Sequence, residues 1–354
     1  MNIDYIDHIN LVADDFNKVK QIILNYTKST TNSVLIESIN KYITDNNGKM
    51  LRPLLLLLFS KLFGFQNKDN VILAAVIELI HMATLLHDDV LDGANMRRNK
   101  KTVNATWNNQ CAILAGDFLY SRAFQLIGQL ENNNKLQIFS LIAETTSIMI
   151  EGEMLQLSEK YNFAITQECY LNIITYKTAK LFATSVQLPN MAAVQCSLDF
   201  GLNFGIFYQL LNDIEDYYKL GNDLIDGRIT LPVIFVLNNL IDMRVKQQLI
   251  SLIKNYAGST KSKQLEQLAL IKNIISNQGG FEYTINLARE YLIKAKNAVL
   301  VLEESNKFNK AKIKYKQAIL QMLDRLLLPN LSLFKCVNCE VGSNPVISSK
   351  KLIG

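Results

Sequence analysis

Three aspartates at the end of an apolar segment have the spacing of a metal site. Asp88, Asp89 and Asp92 close the apolar run of residues 71–86. On a helix, Asp88 and Asp92 share one face a turn apart, and Asp89 lies about 100° round the axis. Such carboxylates repel one another unless a cation lies between them, and Mg²⁺ typically binds one or two carboxylates plus substrate phosphate oxygens. The segment predicts a magnesium site for a phosphorylated substrate, the alternative being a merely solvated acidic helix end.

A second polar segment repeats this spacing. Asn212, Asp213 and Asp216 end another apolar segment. Two such helix ends that face each other can hold several Mg²⁺ ions around a diphosphate and assist its departure by neutralising the developing charge. The amide oxygen of Asn212 can coordinate a cation but brings no negative charge, and Glu215 has a less favourable angle. We therefore expect weaker metal binding on this wall and a higher Mg²⁺ requirement.

Basic side chains supply the complementary half of a diphosphate site. Lys49 and Arg52 lie one turn apart at a predicted helix start, where backbone N–H groups already favour anions. His81 lies two turns before Asp88 on the same face, although taken alone it is more simply a hydrogen-bonded core histidine. The remaining members of a set that can hold two diphosphates are Arg97, Arg98, Lys177, Thr178 and Gln209.

Composition narrows the classes of protein. The chain has 354 residues, of which 49% are hydrophobic and 19% charged, with five prolines, which favours one large helical domain. The net charge of +5 suits nucleic acid, an anionic membrane or phosphorylated metabolites. A nucleic-acid-binding surface would interleave basic and aromatic residues, whereas the basic pairs here stand beside carboxylates. We therefore expect no nucleic-acid partner.

The cysteines and the N-terminal residues bear on location. Five cysteines are scattered without a framework spacing, which suits a reducing compartment. Cys336 and Cys339 form a CxxC pair without a second ligand pair, so incidental thiols are a simpler explanation than zinc. Residues 1–16 contain acidic residues and match neither a secretory signal nor a transit peptide, so we expect a cytoplasmic protein.

Apolar residues at spacings of three and four predict long helices. The segments include residues 33–46, 51–64, 69–92, 104–130, 134–159, 190–219, 229–255, 282–304 and 309–328. We predict an all-α fold, a single large bundle of antiparallel helices. Glu78 and His81 interrupt the run at 71–86, which is also short for a bilayer, so we predict a buried helix and no transmembrane segment. We divide the chain into a helical domain, 1–330, and an irregular tail, 331–354.

An ordered set of motifs resembles the trans-isoprenyl diphosphate synthases, in particular the long-chain, octaprenyl type of bacteria. The motifs are GKMLRP (48–53), ELIH (78–81), HDDVLD (87–92) with RR (97–98), AGDFL (115–119), EGE (151–153), YKT (176–178), YQ (208–209) leading into NDIED (212–216), and DGRITLP (226–232). The resemblance implies an isoprenoid synthase fold with a deep central cavity and a homodimer. It also implies a Mg²⁺-dependent prenyltransferase that condenses isopentenyl diphosphate with an allylic diphosphate, farnesyl or geranylgeranyl, for isoprenoid or quinone side-chain biosynthesis.

The resemblance assigns residues by position. Isopentenyl diphosphate would bind to Lys49, Arg52, His81 and Arg98. The allylic diphosphate would bind to Arg97, Lys177, Thr178 and Gln209, with Lys219 and Arg228 as further contacts, although the segment between Asp216 and Arg228 is shorter than the family norm. Magnesium would bind to Asp88 and Asp92, with Asn212, Asp213 and Asp216 on the opposite wall. Catalysis would depend on Asp88, Asp89, Asp92, Arg97 and Lys177.

Small residues one turn before the first aspartate bear on product length. Ala83 and Thr84 lie about 5 Å below Asp88 along the helix, where the growing chain must pass. Short-chain members of the family usually block this level with an aromatic residue. We therefore expect a long product near octaprenyl, unless the small residues serve only close helix packing.

Two other functions fit part of the pattern. A class I terpene cyclase would need Ser or Thr four residues after Asn212 and Glu eight after, where this chain has Asp216 and Leu220. Members of the resembled family usually have an aspartate at the position of Asn212. A regulatory or weakly active subunit of a heteromeric synthase would explain Asn212 and the short loop, but not the intact first motif. The basic surface would allow transient membrane contact, and no anchor is visible.

Overall fold

The computed structural model describes residues 9–45, 48–64, 68–131, 133–189, 194–219, 221–301 and 310–339. The helices in these ranges are α1 Ala13–Tyr26, α2 Val34–Thr44, α3 Leu51–Phe63, α4 Lys68–Leu91, α5 Val103–Thr106, α6 Asn109–Gly128, α7 Lys135–Ser158, α8 Gln167–Ile174, α9 Lys180–Gln187, α10 Val194–Tyr217, α11 Asn222–Ile225, α12 Leu231–Asn239, α13 Met243–Tyr256, α14 Lys261–Asn277, α15 Gly280–Val301 and α16 Lys310–Cys339. A π-helical turn, Thr175–Ala179, joins α8 to α9. The predicted all-α fold is confirmed.

Helix α4 lies in the centre of the bundle. It packs against α1, α3 and α6, and residues 73–80 are all at most 3% exposed. A helix surrounded on all sides is apolar round its whole circumference, which explains the nearly continuous apolar run. Of the helices in the described ranges, α4 alone is long and apolar enough to cross a membrane, and 72% of that stretch is buried inside the bundle. The prediction of a buried helix is confirmed.

Two glycines bring α10 into backbone contact with its neighbour. A Cβ atom at Gly201 would lie 2.3 Å from the Cα atom of Ala183, and one at Gly205 would lie 2.4 Å from the Cα atom of Ala179. Any larger residue would separate the two helices. This close approach sets the distance between α10 and the π-helical turn, which both line the cavity described below.

Two predicted helices are divided in the structure. Residues 104–130 separate into α5 and α6, because the Asn108 side chain accepts the N–H of Cys111 and starts a new helix. Residues 229–255 separate into α12 and α13 at Leu240, whose backbone is extended, and the Asp242 side chain accepts the N–H of Arg244. N-caps of this kind satisfy backbone donors that a continuous apolar pattern does not reveal.

A short hairpin, which the helical pattern did not predict, follows the first aspartate motif. Strands β1 (Met96–Arg97) and β2 (Lys100–Lys101) pair antiparallel, and Arg98 and Asn99 form the turn with φ of 52° and 63°. Positive φ at both central residues is the geometry of a type I′ hairpin turn. The hairpin places Arg98 at the tip of the turn and Arg97 at the end of β1.

The C-terminal prediction is corrected. We expected an irregular segment at 331–354, but α16 continues to Cys339. Pro329 lies inside this helix. A proline removes one backbone hydrogen bond but does not always end a helix. Residues 340–354 lie outside the described residues, and the division into two domains stays a prediction.

Candidate active site

A cavity of about 620 Å³ opens between α4, α7, α10 and the π-helical turn. It brings together most of the residues singled out from the sequence: Arg52, His81, Thr84, Asp88, Asp92, Arg97, Arg98, Lys177, Thr178, Gln209, Asn212 and Arg228. Six others are absent from its lining: Lys49, Ala83, Asp89, Asp213, Asp216 and Lys219. Spacing along the sequence therefore grouped the residues correctly but did not tell which of them face the cavity.

On the α4 wall, two of the three aspartates face the cavity. Asp88 lies 3.8 Å from the Lys177 Nζ atom, and one oxygen of Asp92 accepts a hydrogen bond from Arg228 at 2.6 Å. The other buried oxygen of Asp92, Oδ1, has no hydrogen-bond partner among the described residues. Asp89 instead accepts the Arg97 Nε–H at 2.7 Å, so it holds the hairpin. Burial raises the pKa of Asp88 to about 6, and Lys177 opposes this rise.

The π-helical turn supplies the basic and hydroxyl groups that face the α4 wall. Lys177 forms an ion pair with Glu153 of α7, and the Thr178 hydroxyl donates to the Gln209 Oε1 atom at 3.1 Å. A Cβ atom at Gly152 would lie 2.8 Å from the backbone nitrogen of Lys177, so α7 and the turn are in contact through their backbones. A π-helical turn inserts an extra residue into a helix and is frequent at functional sites.

On the α10 wall, only Asn212 of the three motif residues faces the cavity. Asp213 is 3% exposed and accepts hydrogen bonds from the Tyr170 hydroxyl and, at 2.6 Å, from Gln209. Asp216 accepts the backbone N–H of Asp223 at 2.9 Å. Burial raises the pKa of Asp213 to about 8 and that of Asp216 to about 7. Asp213 therefore joins α10 to α8, and Asp216 joins α10 to the segment that follows it.

Arg228 connects the two walls. Its guanidinium lies 3.1 Å from Asp223 and 2.5 Å from Asp226, in addition to its contact with Asp92. Burial lowers the pKa of Arg228, but the surrounding carboxylates outweigh this effect and raise it. Lys219, the other further contact that the resemblance implies for the allylic diphosphate, does not line this cavity. Its Nζ atom lies 3.1 Å from Glu215.

A second cavity of about 570 Å³ adjoins the first and shares Arg52, His81 and Arg98 with it. Lys49 and Lys219 line only this second cavity. Burial lowers the pKa of His81 well below its usual value, with help from the neighbouring guanidinium groups, so its ring is neutral at pH 7. The second cavity is therefore a basic site. Lys49 and Arg52, which line it, flank the first residue of α3.

Close packing fixes two of these basic groups. The Arg52 guanidinium lies 4.0 Å from the centre of the Phe182 ring, and its NH1 group lies 3.3 Å from the His81 Nε2 atom. A Cβ atom at Gly48 would lie 2.3 Å from the Arg98 guanidinium, so glycine at this position leaves room for Arg98. Packing thus holds both guanidinium groups at the boundary between the cavities.

Part of the lining of the first cavity is apolar. It includes Leu85, Leu91, Met149, Ile150, Met154 and Leu157. Thr84 also lines the cavity and donates its hydroxyl to the His81 carbonyl at 2.8 Å, whereas Ala83 is fully buried against other helices. The cavity therefore combines charged and apolar side chains.

Several site residues escaped the sequence analysis as individual candidates. Glu78, Glu153 and Asp226 stand inside quoted motifs, while Tyr170 and Asp223 reach the site only through the fold. An acidic residue within an apolar helix, one turn before His81, was the available signal for Glu78. No signal of spacing pointed to Tyr170.

The chain is similar to known proteins over most of its length. Residues 33–271 match the family model described as Polyprenyl synthetase. The octaprenyl diphosphate synthase of Haemophilus influenzae is 33% identical, over 90% of this chain and 95% of the relative. The all-trans-nonaprenyl-diphosphate synthase (geranyl-diphosphate specific) of Rhodobacter capsulatus is 35% identical, over 90% and 96%. A crystal structure of a polyprenyl synthase from Caulobacter crescentus, complexed with calcium and isoprenyl diphosphate, superposes with a TM-score of 0.79 at 28% identity, over 92% and 98%.

Proposed function

Because this chain belongs to the polyprenyl synthetase family, as the resemblance predicted, we propose that it condenses isopentenyl diphosphate repeatedly with an allylic diphosphate to form a long-chain all-trans polyprenyl diphosphate. The observation that carries this proposal is the pair of adjacent cavities that share Arg52, His81 and Arg98. The first cavity presents Asp88 and Asp92 together with basic groups, whereas the described lining of the second has the carboxylates of Glu78 and Glu215 but no pair of aspartates a turn apart. Two diphosphates can thus bind side by side, with metal ions needed by only one.

The α4 wall fits Mg²⁺. Asp88 and Asp92 offer hard oxygen ligands a turn apart, and the buried Oδ1 atom of Asp92 has no hydrogen-bond partner in the described part of the chain. No group of three or more His, Cys, Asp or Glu ligands occurs among the described residues. This suits Mg²⁺, which binds one or two carboxylates and completes its shell with water and substrate phosphate oxygens. When bound, it would neutralise charge on the departing diphosphate.

The allylic diphosphate would lie between Asp88 and the basic groups of the first cavity. Lys177, held by Glu153, and Arg97, held by Asp89, offer N–H donors from two sides. Thr178 and Gln209 lie on a third side and hold each other in place, because the Thr178 hydroxyl donates a hydrogen bond to the Gln209 amide oxygen. Donors held in place before the substrate binds need little reorganisation as charge develops on the leaving oxygen.

Isopentenyl diphosphate would bind in the second cavity. Arg52 and Arg98 would hold its diphosphate, while Lys49 adds charge at the rim. The neutral His81 ring can donate one N–H without adding a further charge. This arrangement places the double bond of isopentenyl diphosphate beside the boundary between the cavities.

The reaction follows from these positions. The allylic C–O bond breaks, and its electron pair leaves with the diphosphate held by Lys177 and Arg97. The double bond of isopentenyl diphosphate attacks the allylic carbon, a new carbon–carbon bond forms, and a proton passes to the released diphosphate. Apolar lining residues such as Leu85 and the buried Met149 would help to exclude water that would otherwise trap the cation.

A long product is consistent with the apolar part of the cavity lining. Thr84 is small and lies on the path of the growing chain, and Met149 and Met154 continue the apolar lining on α7. We propose a product near eight isoprene units, with farnesyl or geranylgeranyl diphosphate as primer. Ala83 is fully buried and does not reach the cavity, so Thr84 carries the length argument alone.

A homodimer is the proposed assembly. Exposed apolar side chains concentrate on α6 and α7: Ile113, Leu114, Phe124, Leu136, Phe139, Ile150 and Met154. Leu136 is 82% and Leu114 66% exposed, and an apolar surface of this kind marks an interface. Sedimentation should give a dimer that Leu114→Glu dissociates; a wild-type monomer would contradict this assignment. The cytoplasm is the proposed location, with transient membrane contact on release of the apolar product.

Product analysis tests the proposed function. Purified protein is incubated with farnesyl diphosphate, labelled isopentenyl diphosphate and Mg²⁺, and the dephosphorylated products are separated by chromatography. Products near eight isoprene units would support both the reaction and the product length, whereas short products would support the reaction alone. No product at any Mg²⁺ concentration would favour the regulatory-subunit hypothesis, which rests on Asn212. A terpene cyclase has no use for the second basic cavity.

A further inference from the structure

Glu78 is a buried acid that the mechanism above does not use. It lies on α4 one turn before His81 and is 3% exposed. Its side chain lines both the second cavity and a smaller one beneath the β1–β2 hairpin, so it stands between Arg52 and Arg98. Its Oε2 atom has no hydrogen-bond partner in the described ranges.

An unused donor lies on the same cavity wall. The Nε–H of Arg52 is buried and, within the described residues, has no hydrogen-bond partner. The rest of that guanidinium is engaged, since NH1 lies 3.3 Å from His81 and the plane stacks on Phe182. A buried donor and a buried acceptor of opposite charge therefore line one cavity and do not hydrogen-bond to each other in this structure.

Leaving both groups unpaired is costly. An unsatisfied buried donor or acceptor costs about 1–3 kcal/mol, and more when it is charged. Burial raises the pKa of Glu78 to about 7, while Arg52 and Arg98 lower it, so the carboxylate is poised between its two protonation states. Such an unpaired arrangement marks a site that is completed when a ligand binds.

We propose that Glu78 is the positioning residue of the isopentenyl diphosphate site: when the diphosphate binds, Glu78 accepts the Arg52 Nε–H and thereby turns the terminal nitrogens of Arg52 toward the diphosphate. The proposal rests on the proposed function. The guanidinium is a rigid planar fork, so anchoring Nε fixes the direction of both terminal nitrogens. Arg52 lines both substrate cavities, but of these two Glu78 lines only the second, so turning the terminal nitrogens of Arg52 toward isopentenyl diphosphate should affect that substrate far more than the allylic one.

The two KM values test this role. Glu78→Leu removes the acceptor and should raise the KM for isopentenyl diphosphate about 10- to 100-fold, the loss of one charged hydrogen bond. The KM for the allylic diphosphate should stay within about twofold, because that site lies in the other cavity. Glu78→Gln keeps an acceptor oxygen and should restore most of the affinity. Glu78→Asp, whose carboxylate is one methylene shorter, should again raise only the first KM and replaces the Leu variant if that protein does not fold.

Asp69→Asn is the matched control. Asp69 is a second buried acid of α4, 2% exposed, which accepts the N–H of Glu131 outside both cavities. Neither KM should change in this variant. An unchanged isopentenyl KM in the Leu and Asp variants, a parallel rise of both KM values, or a Gln variant as weak as the Leu variant would overturn the positioning role. A wild type that forms no prenyl product would instead overturn the proposed function.

Discussion

On the α4 wall of the first cavity, Asp88 and Asp92 face inward and Asp89 is turned toward Arg97, whereas on the α10 wall Asn212 alone of the three motif residues faces inward. The two segments have the same spacing, and in both the second position is turned away from the cavity. The difference lies in the first and fifth positions, which are carboxylates aimed at the cavity on one wall only. The same spacing therefore gives a candidate cation site on α4, where the first and fifth positions are carboxylates that face the cavity. On α10 the fifth position instead binds the segment that follows the helix.

On the α10 wall, two of the three motif residues bond to other protein groups. Asp213 accepts from Tyr170 and Gln209, and Asp216 accepts the backbone N–H of Asp223. Positive charge on this side comes from Arg228. The comparison teaches that Mg²⁺ binding should depend on α4, while α10 should contribute chiefly to stability.

Removing one carboxylate from the α4 wall should have the largest effect. Asp88→Asn keeps the shape but removes the charge that holds Mg²⁺ against the diphosphate, so kcat should fall about 100- to 1,000-fold. Steady-state kinetics at saturating Mg²⁺ measure this loss. Asp213→Asn, the matched change on the α10 wall, should retain at least about a tenth of the wild-type rate; equal losses would contradict the comparison.

Removing the residue that joins the walls should chiefly affect stability. Arg228→Gln leaves Asp92, Asp223 and Asp226 without their shared cation, and breaking a buried pair in this way costs about 3–5 kcal/mol. Urea unfolding of the metal-free protein measures the loss. Arg244→Gln changes an exposed arginine and should have no effect. Equal stability of the two variants would show that Arg228 does not hold the walls together.

Adding a carboxylate to the α10 wall should strengthen Mg²⁺ binding. Asn212→Asp adds a charged ligand that faces the cavity and should lower the Mg²⁺ concentration for half-maximal activity about tenfold. Asn277→Asp adds the same charge at an exposed position of α14 and serves as the control. An unchanged magnesium requirement in Asn212→Asp would mean that the α10 wall takes no part in metal binding at all.

The pH dependence of stability gives a further test of the two walls. Burial raises the pKa of Asp88 to about 6 and that of Asp213 to about 8, so between the unfolded pKa and these values the folded protein binds more protons than the unfolded chain. Without metal, stability should therefore fall as the pH rises from about 5 to about 8, by at most about 1.4 kcal/mol per pH unit for each proton. Thermal unfolding measures this slope. Asp213→Asn should flatten it above about pH 6, and a slope that stays the same would contradict the raised pKa.

Much of the fold and the site was predictable from local sequence. The apolar run that ends at Asp88 specifies a buried helix, because a helix surrounded by others needs apolar side chains on every face. The spacing of Lys49 and Arg52 specifies a paired basic group at a helix start. The divisions at Asn108 and Asp242 were not predicted, because a side-chain cap interrupts an apolar pattern without altering its period.

The sequence by itself determined the helical class, the grouping of acidic and basic residues and the family, since these depend on residue type and spacing along one helix. The tertiary structure alone decided which of these residues face the cavity. Asp213 faces Tyr170 and Glu78 faces Arg52 and Arg98 because helices distant in the sequence pack against α10 and α4 at those points. Direction round a helix axis has meaning only once the neighbouring helices are in place, because their packing decides which face remains open to a substrate.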